Sequence, residues 1–286
     1  MRASSDNLLA WAATHSPDRR TAVGVLALRV RHYFSDGAEP APSSLPDLRV
    51  RVRGQAELPL WHASSGLYGF LRLPPGEARV EIDDPSGRYL PQAISAVVPD
   101  RRALRDALEA AAAAAAIAGP PPAYPQVALR PAPGFGLSPA TCALWGVLRE
   151  GSRAVPGALL SIATVRDGGP DTVSTLTGRD GSYLIVLPGE VINRGVTPPQ
   201  RRFDRALTVR TPRPALAAAL ASQGFLAALP ADVFSLGAAD RDALFAPRNF
   251  QLRDAAGLLH PQQAGQNPPA SVSVGQSVRL DIELLP

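Results

Sequence analysis

Ser65-Gly66-Leu67-Tyr68-Gly69-Phe70-Leu71-Arg72-Leu73-Pro74-Pro75-Gly76 and Asp180-Gly181-Ser182-Tyr183-Leu184-Ile185-Val186-Leu187-Pro188-Gly189 are two versions of one pattern, about 115 residues apart. Each has a turn glycine, an aromatic two residues on, a short apolar run and a Leu-Pro-(Pro)-Gly turn. The first copy runs on into the alternating stretch 77–82, and the second is two residues shorter. A two-residue change keeps every side chain on its own face of a strand, so both copies can serve the same strand. Repetition of this kind predicts two small β-rich modules in place of one large enzyme core.

Around the first copy the chain reads as short strands separated by turns. Residues 23–34 are β-branched and aromatic, 48–52 alternate apolar residues with arginines, and further strands are expected at 58–62, 68–73, 78–82 and 93–98. Asp36-Gly37 marks a turn, and Pro40, Pro42 and Pro46 hold the following loop extended. Asp100 can cap a helix over 101–118 that is nearly all alanine and ends at Gly119 and Pro120-Pro121-Pro122. We expect it to act as a stiff spacer, followed by a Pro/Gly-rich linker up to about residue 139.

Around the second copy, strands are expected at 143–149, 158–162, 172–177 and 183–187, and a convincing closing strand at 277–284 after a shorter one at 271–274. Between them, 193–250 does not read as a series of short strands. Residues 214–229 have a helical pattern bent at Gly224, and 238–245 a second short helix, although 203–209 also reads as a strand with its arginines outward. An insertion of this size in a compact sandwich is the place to expect a specific interface.

The order Gly146-Val147-Leu148, then Val155-Pro156-Gly157-Ala158, then Thr177-Gly178-Arg179-Asp180-Gly181-Ser182-Tyr183, then Leu187-Pro188-Gly189 resembles the carboxypeptidase regulatory-like domain. The first module matches it through Gly66-Leu67-Tyr68 and Leu73-Pro74-Pro75-Gly76. The resemblance implies a transthyretin-like β-sandwich over 23–98 and again over 143–190 plus the C-terminal strand. The expected architecture is therefore mainly β, with two transthyretin/Ig-like β-sandwich domains. It comprises an N-terminal segment (1–20), a first sandwich (21–99), an Ala-rich helix and linker (100–140), and a second sandwich (141–286) with a partly helical insertion at about 193–250.

Composition narrows the chemistry. All 29 basic residues are arginine, the net charge is only +4, and no run of like charges forms a nucleic-acid arm. No stretch reaches the ~18 apolar residues of a membrane span. Residues 8–13 are too short for the core of an export signal, and one cysteine, Cys142, makes no internal disulfide. The expectation is a chain kept in the cytoplasm, or part of a particle assembled there.

His15, His32, His62 and His260 show no metal-ligand spacing. Cys142 reads as a core filler, and Asp83-Asp84 and Asp167-Gly168-Gly169-Pro170-Asp171 as turn chemistry in preference to a calcium site. No phosphate-binding glycine loop or nucleophile elbow is present. No catalytic residue, cofactor or metal is expected.

Arg194, Arg201, Arg202, Arg205, Arg210 and Arg213, interleaved with Phe203, form a basic stretch that fits a solvated face or a protein interface. The expected interface residues are Arg201, Arg202, Phe203, Arg205, Phe225, Phe234 and Phe245, and the expected partners are proteins of a larger assembly, with no nucleic acid. The leading functional reading is a non-catalytic structural or adaptor protein, since similar modules recur in large assemblies including phage-tail-like contractile particles. The alternatives are a carbohydrate or cell-surface binding module and, further off, a transthyretin-like hydrolase, whose Ser-rich C-terminal signature this chain lacks at 281–286.

Overall fold

The computed structural model describes residues 25–32, 47–62, 66–104, 106, 125–137, 141–166, 169–187, 202–260, 267–273 and 275–286. The described chain is mainly β, arranged in several sheets as a β-sandwich requires. It falls into two compact units. The first is built from the described residues up to 85 and from 91 to 129, the second from 86–90 and from 130 onward.

In the first unit, one sheet has the order β3-β4-β1-β7, from β1 (Leu26–His32), β3 (Leu60–His62), β4 (Leu67–Phe70) and β7 (Gln126–Leu129). The other has the order β2-β5-β6, from β2 (Arg49–Val52), β5 (Gly76–Asp83) and β6 (Gln92–Val98). Alternation does what the sequence pattern predicts. Leu26, Leu28 and Phe70 are buried on one sheet and Val50, Val52, Val80 and Ile82 on the other. Asp100 caps the helix that starts at Arg101, its Oδ1 accepting from the backbone N–H groups of Arg102 at 2.8 Å and Ala103 at 3.3 Å. The rest of the helix expected over 101–118 lies outside the described residues.

One expectation is corrected here. The stretch expected to be linker contains β7, which pairs parallel with β1, Val30 opposite Val127. Four residues, Gln126-Val127-Ala128-Leu129, are too short to show period two against their proline-rich surroundings. They become a strand because β1 offers them a ladder and the core takes Val127 and Leu129.

The second unit has a sheet of order β12-β8-β19-β16-β17, with β9 paired on β8. Its strands are β8 (Ala143–Glu150), β9 (Arg153–Ala154), β12 (Ser182–Val186), β16 (Phe250–Asp254), β17 (Leu259–His260) and β19 (Ser277–Leu284). The facing sheet has the order β11-β10-β14-β15, from β10 (Leu159–Arg166), β11 (Gly169–Leu176), β14 (Leu207–Pro212) and β15 (Phe245–Arg248). A two-stranded ribbon joins β13 (Arg202–Arg205) to β18 (Ala270–Ser273). Leu144, Leu148, Tyr183 and Ile282 from the first sheet and Leu160, Ile162, Val173 and Val209 from the second share one buried core.

The region expected to be a helical insertion is therefore only partly one. β13, β14, β15 and β16 all begin within 193–250, and β14 and β15 are integral to the sandwich. Only 213–244, between β14 and β15, is added structure, folded as α1 (Pro214–Gln223), α2 (Phe225–Ala228) and α3 (Ala238–Leu244). Gly224, at φ +80°, separates α1 from α2 where the bend was expected.

The two units share a strand plan. β1 lies antiparallel to the Gly-x-Tyr strand β4 and parallel to β7; β8 lies antiparallel to the Gly-x-Tyr strand β12 and parallel to β19. The other sheets correspond as β2-β5-β6 and β10-β14-β15, all antiparallel.

Candidate protein interface

In the second unit the residues around the repeated Gly-x-Tyr motif form an internal clamp. Thr177 is fully buried; its hydroxyl donates to the Val155 carbonyl at 2.6 Å and accepts from the Ala158 N–H at 2.8 Å, tying two turns together. Asp180 Oδ1 accepts from the Ser182 hydroxyl and N–H, which holds its carboxyl below the usual carboxylate range. Gly181 is at φ +75°, and a Cβ there would stand 2.5 Å from the Leu148 carbonyl oxygen.

Tyr183 has a more specific role. Pairing between β8 and β19 skips Gly146 and Val147 on one strand and Leu280 and Asp281 on the other. Side chains fill the gap. The Tyr183 hydroxyl donates to the Leu280 carbonyl at 2.5 Å, and the Asp281 carboxylate accepts from the Val147 N–H at 3.1 Å. Burial, with Asp281 adding to it, pushes the Tyr183 pKa well above its ordinary value. Gly146 is needed here because its Cβ would sit 2.0 Å from the Leu280 oxygen.

The helices α1–α3 cover one end of the outer face of the β11-β10-β14-β15 sheet. Leu216, Leu220, Leu229 and Val233 pack there with Leu159, Leu176 and Phe245, joined by Leu90 and Ala132. The cap is pinned by polar contacts as well. Arg210 pairs with Asp242, Arg213 Nε donates to the Asp242 carbonyl at 2.8 Å, and the Arg130 guanidinium lies 4.1 Å from the centre of the Phe234 ring.

These contacts redistribute the expected interface. Phe245 is fully buried and is corrected to a core residue, because its place at the start of β15 directs it under the helical cap. Phe225 and Phe234 are half-buried and pack against the same cluster. Arg205 lies on β13, half-buried and already engaged with a partner. Arg202 and Phe203 are also on β13, but their side chains lie outside the described residues, as does all of Arg201. Of the basic stretch, Arg210 and Arg213 serve the cap. Among the described residues, Phe225, Phe234 and Phe245 pack against the capped cluster and do not form an exposed patch.

The structure places exposed apolar side chains elsewhere. Leu58 is 77% exposed, Leu60 51% and Trp61 41%, all within or just before β3, an outer strand of its sheet. Trp61 packs against Tyr68, ring centres 4.5 Å apart, and burial, followed by the charge of Asp47, pushes the Tyr68 pKa up to about 12. The segment is well anchored. The Glu57 carboxylate accepts from the Leu71 N–H at 2.7 Å and from the Arg72 N–H at 2.9 Å, and Arg101 donates to the Leu71 carbonyl at 2.9 Å. The sequence signal was available in Leu58-Pro59-Leu60-Trp61, an apolar run with no charge to protect an edge. Trp145 is also exposed, with the Arg279 guanidinium 5.4 Å from its ring centre.

Among the described residues, no group of three or more His, Cys, Asp or Glu is placed to hold a metal. No described helix is long and apolar enough to cross a membrane. Cys142 is buried, its thiol donating to the Ser273 carbonyl at 3.4 Å.

No known family model and no curated protein sequence matches the chain. Among solved structures it is similar to a Streptococcal ancillary pilin at 10% identity and a TM-score of 0.21, over 91% of this chain and 62% of the pilin.

Proposed function

We propose that this chain is a non-catalytic structural or adaptor protein that docks other proteins through an open sheet edge. The observation that carries the reading is β3, a short outer strand with Leu60 and Trp61 exposed on it and Leu58 exposed just before it. Outer strands ordinarily protect themselves with short length, proline, charges, bulges or coverage, because their free N–H and C=O groups recruit further strands. β3 has the first two, in its three residues and in Pro59 before it, but no charge. Here the described edge carries apolar side chains on a segment braced by Glu57, which is the preparation that strand addition needs.

The finer fold reading belongs to the same proposal. The shared strand plan, with the Gly-x-Tyr strand next to a first strand that pairs parallel with the last, supports two related transthyretin-like sandwiches. A component of a phage-tail-like contractile particle assembled in the cytoplasm is the specific assembly we favour, by analogy of fold. The carbohydrate alternative has less support, since Arg279 lies over the Trp145 ring and Trp61 packs on Tyr68.

The test is the native state of the chain in its own cells. In a gentle lysate it is expected to sediment with an assembly of very high mass. A stable free monomer throughout the gradient would overturn the proposal.

A further inference from the structure

In the second unit, β16, β18 and β19 leave a gap between them, and the strand pairing explains it. β16 joins β19 only from Leu280 onward, with Asp254 opposite Leu280. Among the described residues, Ser277, Val278 and Arg279 therefore pair with β8 alone. β18 precedes β19 in the chain but pairs with β13 instead. The result is a half-open cavity of about 430 Å³, lined by the end of β16, the start of β19 and β18. Its size is that of a small-molecule site, towards the lower end of the usual ~300–1,000 Å³.

The lining is of two kinds. Leu252, Val278 and Leu280 supply apolar contact, the two leucines belonging to the buried core. Ser271, Ser273 and Ser277 supply hydroxyls. The Ser271 hydroxyl donates to the Asp204 carboxylate at 2.5 Å, which leaves its oxygen able to accept. Among the described residues, no hydrogen bond engages the hydroxyl of Ser273 or Ser277. One wall is set before any ligand arrives: Asp254 Oδ1 accepts from the N–H groups of Ala256 and Leu258, both at 2.9 Å, which fixes the turn at the end of β16.

Charge does not select the ligand. Asp254 and Arg279 are the charged residues of the lining, one of each sign, and Arg279 is paired with Asp281 at 3.0 Å. A serine hydroxyl both donates and accepts, so it is matched best by groups that do the same, above all other hydroxyls. Carboxylates only accept and ammonium groups only donate. A ring with hydroxyls on its rim and C–H groups on its faces meets both kinds of lining.

We propose that this cavity binds an uncharged cyclic polyol, either a free cyclitol or a sugar ring at the end of a glycan, with Ser273 and Ser277 as its main hydrogen-bonding residues. The site uses no aromatic ring as a platform. It stands on observations separate from those at β3, so its failure would leave the strand-edge reading intact.

The test follows the backbone amide resonances of the full chain during titration with myo-inositol and, separately, with methyl β-glucoside. Saturable shifts are expected at Ser271, Ser273, Ser277 and Leu280, with half-saturation between about 0.1 and 10 mM. The double variant Ser273→Ala/Ser277→Ala removes two hydroxyls at positions that are not fully buried, so its melting temperature should change little while binding weakens about tenfold or more. Ser152→Ala, at an exposed turn outside the cavity, should leave binding as it is. Tighter binding of myo-inositol assigns the ligand to a free cyclitol, and equal or tighter binding of the glucoside assigns it to a sugar ring; either supports the site. Absence of saturable shifts at these four residues with both probes, or a double variant that binds as well as the wild type, would overturn it. Binding of glucuronate about tenfold tighter than of the glucoside would overturn the assignment to an uncharged ligand.

Discussion

Tyr68 and Tyr183 occupy the same place in the repeated motif, and their surroundings set them apart. The Tyr183 hydroxyl replaces a missing ladder partner for the Leu280 carbonyl, 97 residues away, in a fully buried position. Tyr183→Phe leaves that carbonyl without its donor and is expected to destabilise the protein by about 1–3 kcal/mol in chemical denaturation. Gly146→Ala should cost more, since the backbone of β19 must move to admit the methyl group. The Tyr68 ring instead fills the space beneath Trp61, so its effect should appear in the pH dependence. A phenol whose folded pKa is about 12 against an ordinary value of 10 keeps its full contribution below pH 10. It loses that contribution as pH rises from 10 towards 12, because the unfolded chain releases the proton first. Denaturation midpoints of the wild type should therefore fall over that window more steeply than those of Tyr68→Phe; parallel curves would contradict the assignment. The motif itself was visible in the sequence. The two roles were not, because each depends on a partner supplied by a distant strand.

Most strands were legible because alternation and turn glycines are local signals, and the places where reading failed share a physical cause. β7 is a four-residue strand whose ladder partner, β1, lies nearly a hundred residues earlier. β14 and β15 are separated by 213–244, so the helical pattern between them concealed the hairpin they form. Phe245 of the expected interface is the clearest case: it reads as an apolar residue for a partner, whereas the cap formed by α1–α3 covers it on the sheet. The contact between α1 and the turn at Gly157 gives a quantitative check. A Cβ at Gly157 would lie 2.5 Å from Leu220 Cδ1, and the residue sits at φ +67°. Leu220→Ala alone is expected to cost about 2–5 kcal/mol, as a buried leucine removed from a packed cluster does. Gly157→Ala alone suffers both the clash and the backbone strain. In the double variant the clash disappears while the strain remains, so the two losses should sum to less than their separate total. Strict additivity in a double-mutant cycle would show that the cap does not press on this turn.

At the scale of the whole chain, the two units follow one strand plan and depart from it at two connections. The link from β5 to β6 is the eight-residue segment 84–91, whereas the corresponding link from β14 to β15 holds the helical cap. The strand after β2 crosses over to pair with β4 as the three-residue β3, whereas the strand after β10 folds back on β10 along eight registered residues as β11. The second departure creates the exposed apolar edge in the first unit, which makes β3 the decisive place to test the proposed docking. Leu60→Lys puts a charge on the edge at a half-exposed position, so stability should change by no more than about 0.5 kcal/mol. The same charge opposes strand addition, because it must be desolvated when a further strand lies against it. The variant is therefore expected to stay folded and to leave the high-mass fraction. Leu258→Lys, at an exposed apolar position before β17, serves as the comparison and should remain in that fraction. If Leu60→Lys sedimented with the assembly as the wild type does, β3 would not be the docking edge.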